Sequence, residues 1–191
     1  MAAGKPGRPE RSRSQDPRDA RPQGTRTAEI VAPRKVLDAK AARLAAGDLL
    51  SRRAWTRADL AARLHRRGAP AEVAAEVVND LVARGYVDDA AFARQWVSAR
   101  AARGYGAARL RMELRARGVA PPVIAAALSA LGGDDTLASA RETARRRLPA
   151  LRRGRPDRVA PRLRDYLLRR GFSTSIVVRV VRETTGVAAE E

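Results

Sequence analysis

The side chains that ordinarily carry catalysis or bind metals are scarce in this 191-residue chain, which has one histidine, His65, and no cysteine. Disulfides, thiolate zinc sites, iron–sulfur clusters and thiol nucleophiles are thereby excluded. A single histidine inside an arginine run supports neither a histidine-based triad nor a multi-histidine metal site, and reads as a solvated surface residue. Two aspartate pairs, Asp88/Asp89 and Asp134/Asp135, have the composition of metal carboxylates. Each stands at an expected helix start, where capping and the helix dipole account for them. Gly104-Tyr105-Gly106 hints at a phosphate loop, but no G-K-[ST] follows and no strand precedes it. It reads as a break between helices, with Tyr105 and Arg109 as candidate partner contacts. No catalytic, cofactor-binding or metal-binding residue is assigned, and the chain is expected not to be an enzyme.

Charge says more. The chain has 39 Lys+Arg against 21 Asp+Glu, a formal net charge of +18. Only Lys5, Lys35 and Lys40 are lysine, a bias that a GC-rich genome can produce, so the arginine preference is not itself evidence of phosphate recognition. The imbalance of charge is different, because it creates a field that draws polyanions. Two stretches concentrate it. Arg100, Arg103, Arg109, Arg111, Arg115 and Arg117 are relieved only by Glu113, and twelve arginines face five acids between Asp134 and Arg170. Apolar runs fall well short of the roughly 18 residues of a membrane span, and no hydrophobic stretch follows the basic N-terminus. A soluble, cytoplasmic monomer without membrane contact is expected.

The elements that must position these charges are helices. Residues 1–38 are rich in Pro, Gly, Arg and Ser and read as a disordered basic tail. From Ala39 onward apolar residues fall three and four apart, with Gly and Pro at the breaks and no alternating pattern. Helices are expected from Asp38 to Ser51, Thr56 to Arg67, Pro70 to Arg84 and Asp88 to Gly104. Five more are expected over about 106–117, 121–131, 134–148, 157–170 and 173–184. Phe92 and Trp96, four apart on one helix, read as core rather than as a platform for bases.

These helices repeat. The pattern L-x-x-x-L-x-x-R-G occurs at Leu60–Gly68, Leu110–Gly118 and Leu163–Gly171, offset by 50 and 53 residues. The following helices keep register, since Val73, Val123 and Ile176 correspond, as do Val77, Ala127 and Val180. The fold class is therefore all-α, an elongated array of three tandem three-helix repeats over 39–85, 86–132 and 133–186, with a short tail at 187–191. The arginine before each glycine, Arg67, Arg117 and Arg170, has two readings. It complements the dipole in the last turn of its helix, or the three form a stripe for a partner.

The chain also resembles a known family. Gly85-Tyr86-Val87-Asp88-Asp89-Ala90-Ala91-Phe92-Ala93 is similar to the G-[YL]-[VIL]-[DN]-D-x-x-[FY]-[AV] signature of the RecX family. Arg103-Gly104-Tyr105-Gly106-Ala107-Ala108-Arg109-Leu110 looks like its glycine-rich segment, and Leu50 to Leu60 like its L-[SA]-x-R opening. The resemblance spans about 40–185. It implies a regulator of the RecA recombinase that binds the RecA–single-stranded-DNA filament, inhibiting ATP hydrolysis, strand exchange and the coprotease activity behind the SOS response. The implied partners are RecA and the DNA within its filament, with free DNA as a further ligand. The alternative is a basic helical DNA-binding protein that acts without RecA.

Overall fold

The computed structural model describes Met1 and residues 36–154 and 156–186. The expected disorder of residues 2–35 and of the tail at 187–191 concerns residues outside that description. Nine α-helices occur among the described residues: α1 (Ala39–Arg52), α2 (Arg57–Arg66), α3 (Ala71–Ala83), α4 (Asp89–Ala101), α5 (Ala107–Ala116), α6 (Pro121–Ser129), α7 (Gly133–Arg152), α8 (Val159–Arg170) and α9 (Thr174–Thr185). A 3-10 turn, Pro156–Arg158, leads into α8. None of the described residues forms a strand.

Side-chain caps start four helices. Asp38, Thr56, Asp88 and Ser173 each accept an amide of the first turn, which satisfies donors that have no partner inside the helix. Leu37 and Asp38 depart from the expected tail. The Leu37 amide bonds the Gly68 carbonyl at 3.0 Å and its side chain packs on the first core, so ordered chain begins before Ala39. A second departure lies at Pro149, where the helix expected to stop at 148 continues to Arg152. One proline removes a single amide donor. A further half-turn places Leu151 in the core, 2% exposed.

The helices form three trios, each around its own core. Leu60, Leu64 and Val77 centre the first, Leu110, Leu114 and Ile124 the second, and Leu163, Leu167 and Val180 the third. All six leucines of the repeat are fully buried, each contributing about 2 kcal/mol of apolar burial. The glycine closing the pattern takes a positive φ of 105°, 72° and 89° at Gly68, Gly118 and Gly171. The next residue (Ala69, Val119, Phe172) is buried and its amide returns to the carbonyl of Leu64, Leu114 or Leu167 at 3.1, 3.1 and 3.3 Å. This is a helix stop of the Schellman type, which turns the chain into the third helix of each trio.

Candidate partner-binding surface

The Arg-Gly step does a second job. Where the first trio meets the second, the buried Thr56 hydroxyl donates to the Arg117 carbonyl at 2.8 Å. At the next joint the Gly106 amide donates to the Arg170 carbonyl, also at 2.8 Å. Thr56 and Gly106 both precede the second helix of their trio, 50 residues apart. Each joint thus seats the carbonyl of the next trio's Arg-Gly step against the start of a second helix. At the second joint the Ala108 amide also donates to the Gly171 carbonyl at 3.1 Å. Glycine is required where backbones meet this closely. A Cβ on Gly106 would overlap the Gly171 carbonyl, one on Gly171 the Arg109 backbone, and one on Gly118 the Ala58 side chain. A Cβ on Gly104, at φ 74°, would strike the Thr143 hydroxyl.

Arg67 and Arg117 turn their guanidiniums onto neighbouring helices, and Arg170 turns its own onto a neighbouring loop and back onto α8. Arg67 reaches α1, 3.6 Å from Asp48 and 3.5 Å from the Ala45 carbonyl. Arg117 lies 4.1 Å over the Trp96 ring, and its Nε is buried without a partner. Arg170 donates to the Arg103 carbonyl at 3.0 Å and the Tyr166 hydroxyl at 2.7 Å, and stacks 4.6 Å over Tyr105. Of the three, Arg170 alone also contacts its own helix, through the Tyr166 hydroxyl one turn back.

Glu113 organises the basic stretch of the second trio. It pairs with Arg100, accepts from Arg109 Nε at 3.0 Å and from Trp96 Nε1 at 3.1 Å. Burial pushes its carboxyl up, but the hydrogen bonds from Arg100, Arg109 and Trp96 outweigh that and hold it at about 2. The same bond raises the Arg100 guanidinium above its ordinary value. Arg100 also lies 4.0 Å over Tyr105, whose ring therefore meets the guanidiniums of both Arg100 and Arg170. Arg103, Arg111 and Arg115 are exposed, and among the described residues no acid pairs with them. Of the six arginines of this stretch, two share the single carboxylate of Glu113 and one covers a tryptophan.

The motif residues have structural roles that the geometry explains. Gly85, at φ 75°, ends α3, and the Tyr86 amide returns to the Leu81 carbonyl at 2.9 Å. The Asp88 carboxylate takes the Ala91 and Ala90 amides at 3.0 and 2.7 Å, and the Ala91 bond leads in holding its pKa below the ordinary value. Asp89 opens α4 in its first turn, as expected, and has a second role as well. Its carboxylate accepts the Arg57 amide at 2.9 Å and so caps α2 of the preceding trio. Phe92 is buried and stacks on Trp96, centroids 5.8 Å apart, as core residues. His65 is exposed, with Nδ1 3.0 Å from the Ala69 carbonyl. Tyr86 is exposed and unabsorbed by any core.

Sequence reasoning passed over three exposed arginines at the first joint, Arg53, Arg63 and Arg66, whereas Arg146 and Arg147 at the second belong to the basic stretch between Asp134 and Arg170 that it did single out. The signal for the first was available, since Arg53 corresponds to Arg103 at the 50-residue offset of the repeat. No helix among the described residues is long and apolar enough to cross a membrane.

Comparison with known proteins agrees with this architecture. The family model described as RecX, second three-helix domain, matches residues 88–128, which hold α4 to α6 but for its last residue. The regulatory protein RecX of Thermobifida fusca (strain YX) is 40% identical over 173 residues, covering 90% of this chain and 89% of that protein. The regulatory protein RecX of Mycolicibacterium vanbaalenii is 40% identical over 140 residues, covering 70% and 76%. The crystal structure of RecX from Lactobacillus salivarius superposes with a TM-score of 0.69 at 18% identity, covering 78% of this chain and 98% of that one. A second RecX crystal structure gives 0.71 at 23% identity, covering 76% and 73%. With the Arg-Gly helix stops, the three trios and a relative 40% identical across 90% of this chain and 89% of its own length, this chain belongs to the RecX family of regulatory proteins.

Proposed function

We propose that this protein regulates the RecA recombinase by binding the RecA–single-stranded-DNA filament, inhibiting its ATP hydrolysis, strand exchange and coprotease activity. The observation that carries this reading is 40% identity to a protein named regulatory protein RecX across 90% of the chain. Two physical features support it. Three similar trios in series suit a partner that itself repeats, and a net charge of +18 suits one that carries phosphate. The protein acts in the cytoplasm as a monomer, without catalysis of its own. Its working units are the segments 39–85, 86–132 and 133–186, with exposed arginines at and beside the joints meeting the filament.

The test is single-stranded-DNA-dependent ATP hydrolysis by the cognate RecA as this protein is titrated in, with binding to naked DNA followed in parallel. Inhibition at concentrations well below those that coat the DNA is the expected result. Slowing only as the DNA becomes coated would reduce the activity to competition for DNA. No slowing at any concentration would overturn the recombinase reading.

A further inference from the structure

Each joint between trios opens into a basic cleft, and the two clefts share a frame. The first, of about 450 Å3, is lined by Arg53, Arg63, Arg66 and Arg117, with Trp55 and Asp59. The second, of about 290 Å3, is lined by Arg103, Arg146, Arg147 and Arg170, with the hydroxyl residues Thr143 and Tyr166. Arg53 and Arg103 occupy matching places after the first helix, 50 residues apart, and Arg117 and Arg170 are the matching arginines of the Arg-Gly step. The remaining cations come from α2 at one joint and from α7 at the other. Asp59 is the one acid lining the first cleft, and no acid lines the second. Glu142, just outside, pairs with Arg146 at 2.6 Å.

We propose that these twin clefts are successive seats for the phosphodiester backbone of single-stranded DNA, gripped without regard to base sequence. This deepens the filament reading and rests on it, assigning the DNA rather than the recombinase to the joints. Charge of one sign at two equivalent stations suits a polymer whose anions repeat. The rings that line the clefts already carry guanidiniums, Trp55 that of Arg53 at 3.6 Å and Tyr166 those of Arg170 at 5.1 Å and Arg147 at 5.4 Å. Bases therefore find no open stacking platform, while guanidinium edges remain for phosphate oxygens. A protein partner would instead meet clefts whose apolar lining is confined to the buried Leu49 and the arginine-covered Trp55 of the first, short of the anchors that centre stable protein interfaces.

The test uses the full chain and a fluorescein-labelled oligothymidylate, with anisotropy titrations across a salt series. Two paired variants probe the clefts: Arg63→Gln with Arg66→Gln, and Arg103→Gln with Arg147→Gln. All four residues are exposed, and circular dichroism checks that the helices persist. Arg111→Gln with Arg115→Gln on α5 removes the same charge outside both clefts. Each cleft pair should weaken binding about tenfold and lower the salt slope by about 1.4, at roughly 0.7 per phosphate contact. The α5 pair should do markedly less.

Equal losses from all three pairs would show attraction by net charge alone and overturn the assignment. Suppose the wild type ignores the oligonucleotide while the cleft pairs abolish its effect on RecA. The clefts would then hold protein acids, which sinks the phosphate seats and leaves the recombinase reading intact. Cleft-dependent DNA binding without any effect on RecA hydrolysis would do the reverse. Neither DNA binding nor an effect on RecA would overturn both.

Discussion

The two joints solve one problem with different atoms. Both seat the carbonyl of an Arg-Gly step against the start of a second helix, yet the first uses a side chain and the second uses the main chain. At the first, Thr56 spends its hydroxyl on the Arg117 carbonyl while its oxygen also accepts the Asp59 amide at 3.1 Å. At the second, Gly106 has no side chain to offer. Its amide and that of Ala108 bond directly to Arg170 and Gly171. The side-chain joint keeps a small spacer between trios, whereas the main-chain joint brings backbone onto backbone and so demands glycine on both sides. What the two joints share is therefore the carbonyl of an Arg-Gly step as acceptor, not a common donor.

Breaking the second joint should have the largest effect. Gly171→Ala places a methyl group on the Arg109 backbone, where nothing flexible can yield, and does so at φ 89°. A loss of about 3 kcal/mol or more is expected in denaturant unfolding. Two companions separate the causes. Gly106→Ala meets the same kind of overlap at an ordinary φ of −86°, so it should lose nearly as much. Gly85→Ala has the positive φ but open space around it, and should lose only about 1 kcal/mol. If Gly85→Ala lost as much as Gly171→Ala while Gly106→Ala lost little, backbone strain and not the joint would explain the glycines.

Thr56→Val tests the first joint by keeping shape and burial while removing the hydroxyl. It deprives the Arg117 carbonyl of its donor and the α2 first turn of its cap, at a cost of about 2 kcal/mol. Thr56→Ser should recover most of it. An unchanged stability in the valine variant would mean that apolar packing alone holds this joint.

Acid should loosen the second trio through Glu113. Its folded pKa of about 2 lies below the ordinary 4.5, so the stability it contributes is complete above 4.5 and lost as pH falls from there toward 2. Trp96 donates to this carboxylate and reports the change in fluorescence once Trp55→Phe silences the other tryptophan. Glu113→Gln should remove the Trp96 change in that window while leaving the share of Glu142 and Glu183, which are also held at about 2; a Gln variant that keeps the same Trp96 transition would assign it to other carboxylates.

The sequence reading reached the helices, the three trios and the buried leucine pairs because apolar period and glycine stops are properties of residue type. The Arg109–Glu113 pair was equally legible, being four apart on one helix. Arg100 on the same carboxylate was not, since it arrives from the preceding helix through packing. The joints escaped for a stricter reason. Their acceptors are backbone carbonyls, which every residue possesses, so Arg117 and Arg170 drew attention to their side chains instead. Pro149 misled in the opposite sense, because a residue that disfavours helix locally was overruled by the burial of Leu151 one half-turn later.

Asp89 offers the finest probe of the joints. Beside an aspartate that caps its own helix, it reaches back and caps α2 of the trio before it through the Arg57 amide. Two adjacent, chemically identical carboxylates thus serve different trios. Asp88→Ala should weaken α4 from within, while Asp89→Ala should weaken the coupling between the first two trios, each by about 1 kcal/mol. Hydrogen exchange distinguishes them even where total stability does not. The Asp89 variant should lose protection in the first turn of α2 and spare α4, and the Asp88 variant the reverse. Matching protection patterns in the two variants would place both carboxylates on α4 and remove this side-chain tie from the first joint, leaving Thr56 to hold it.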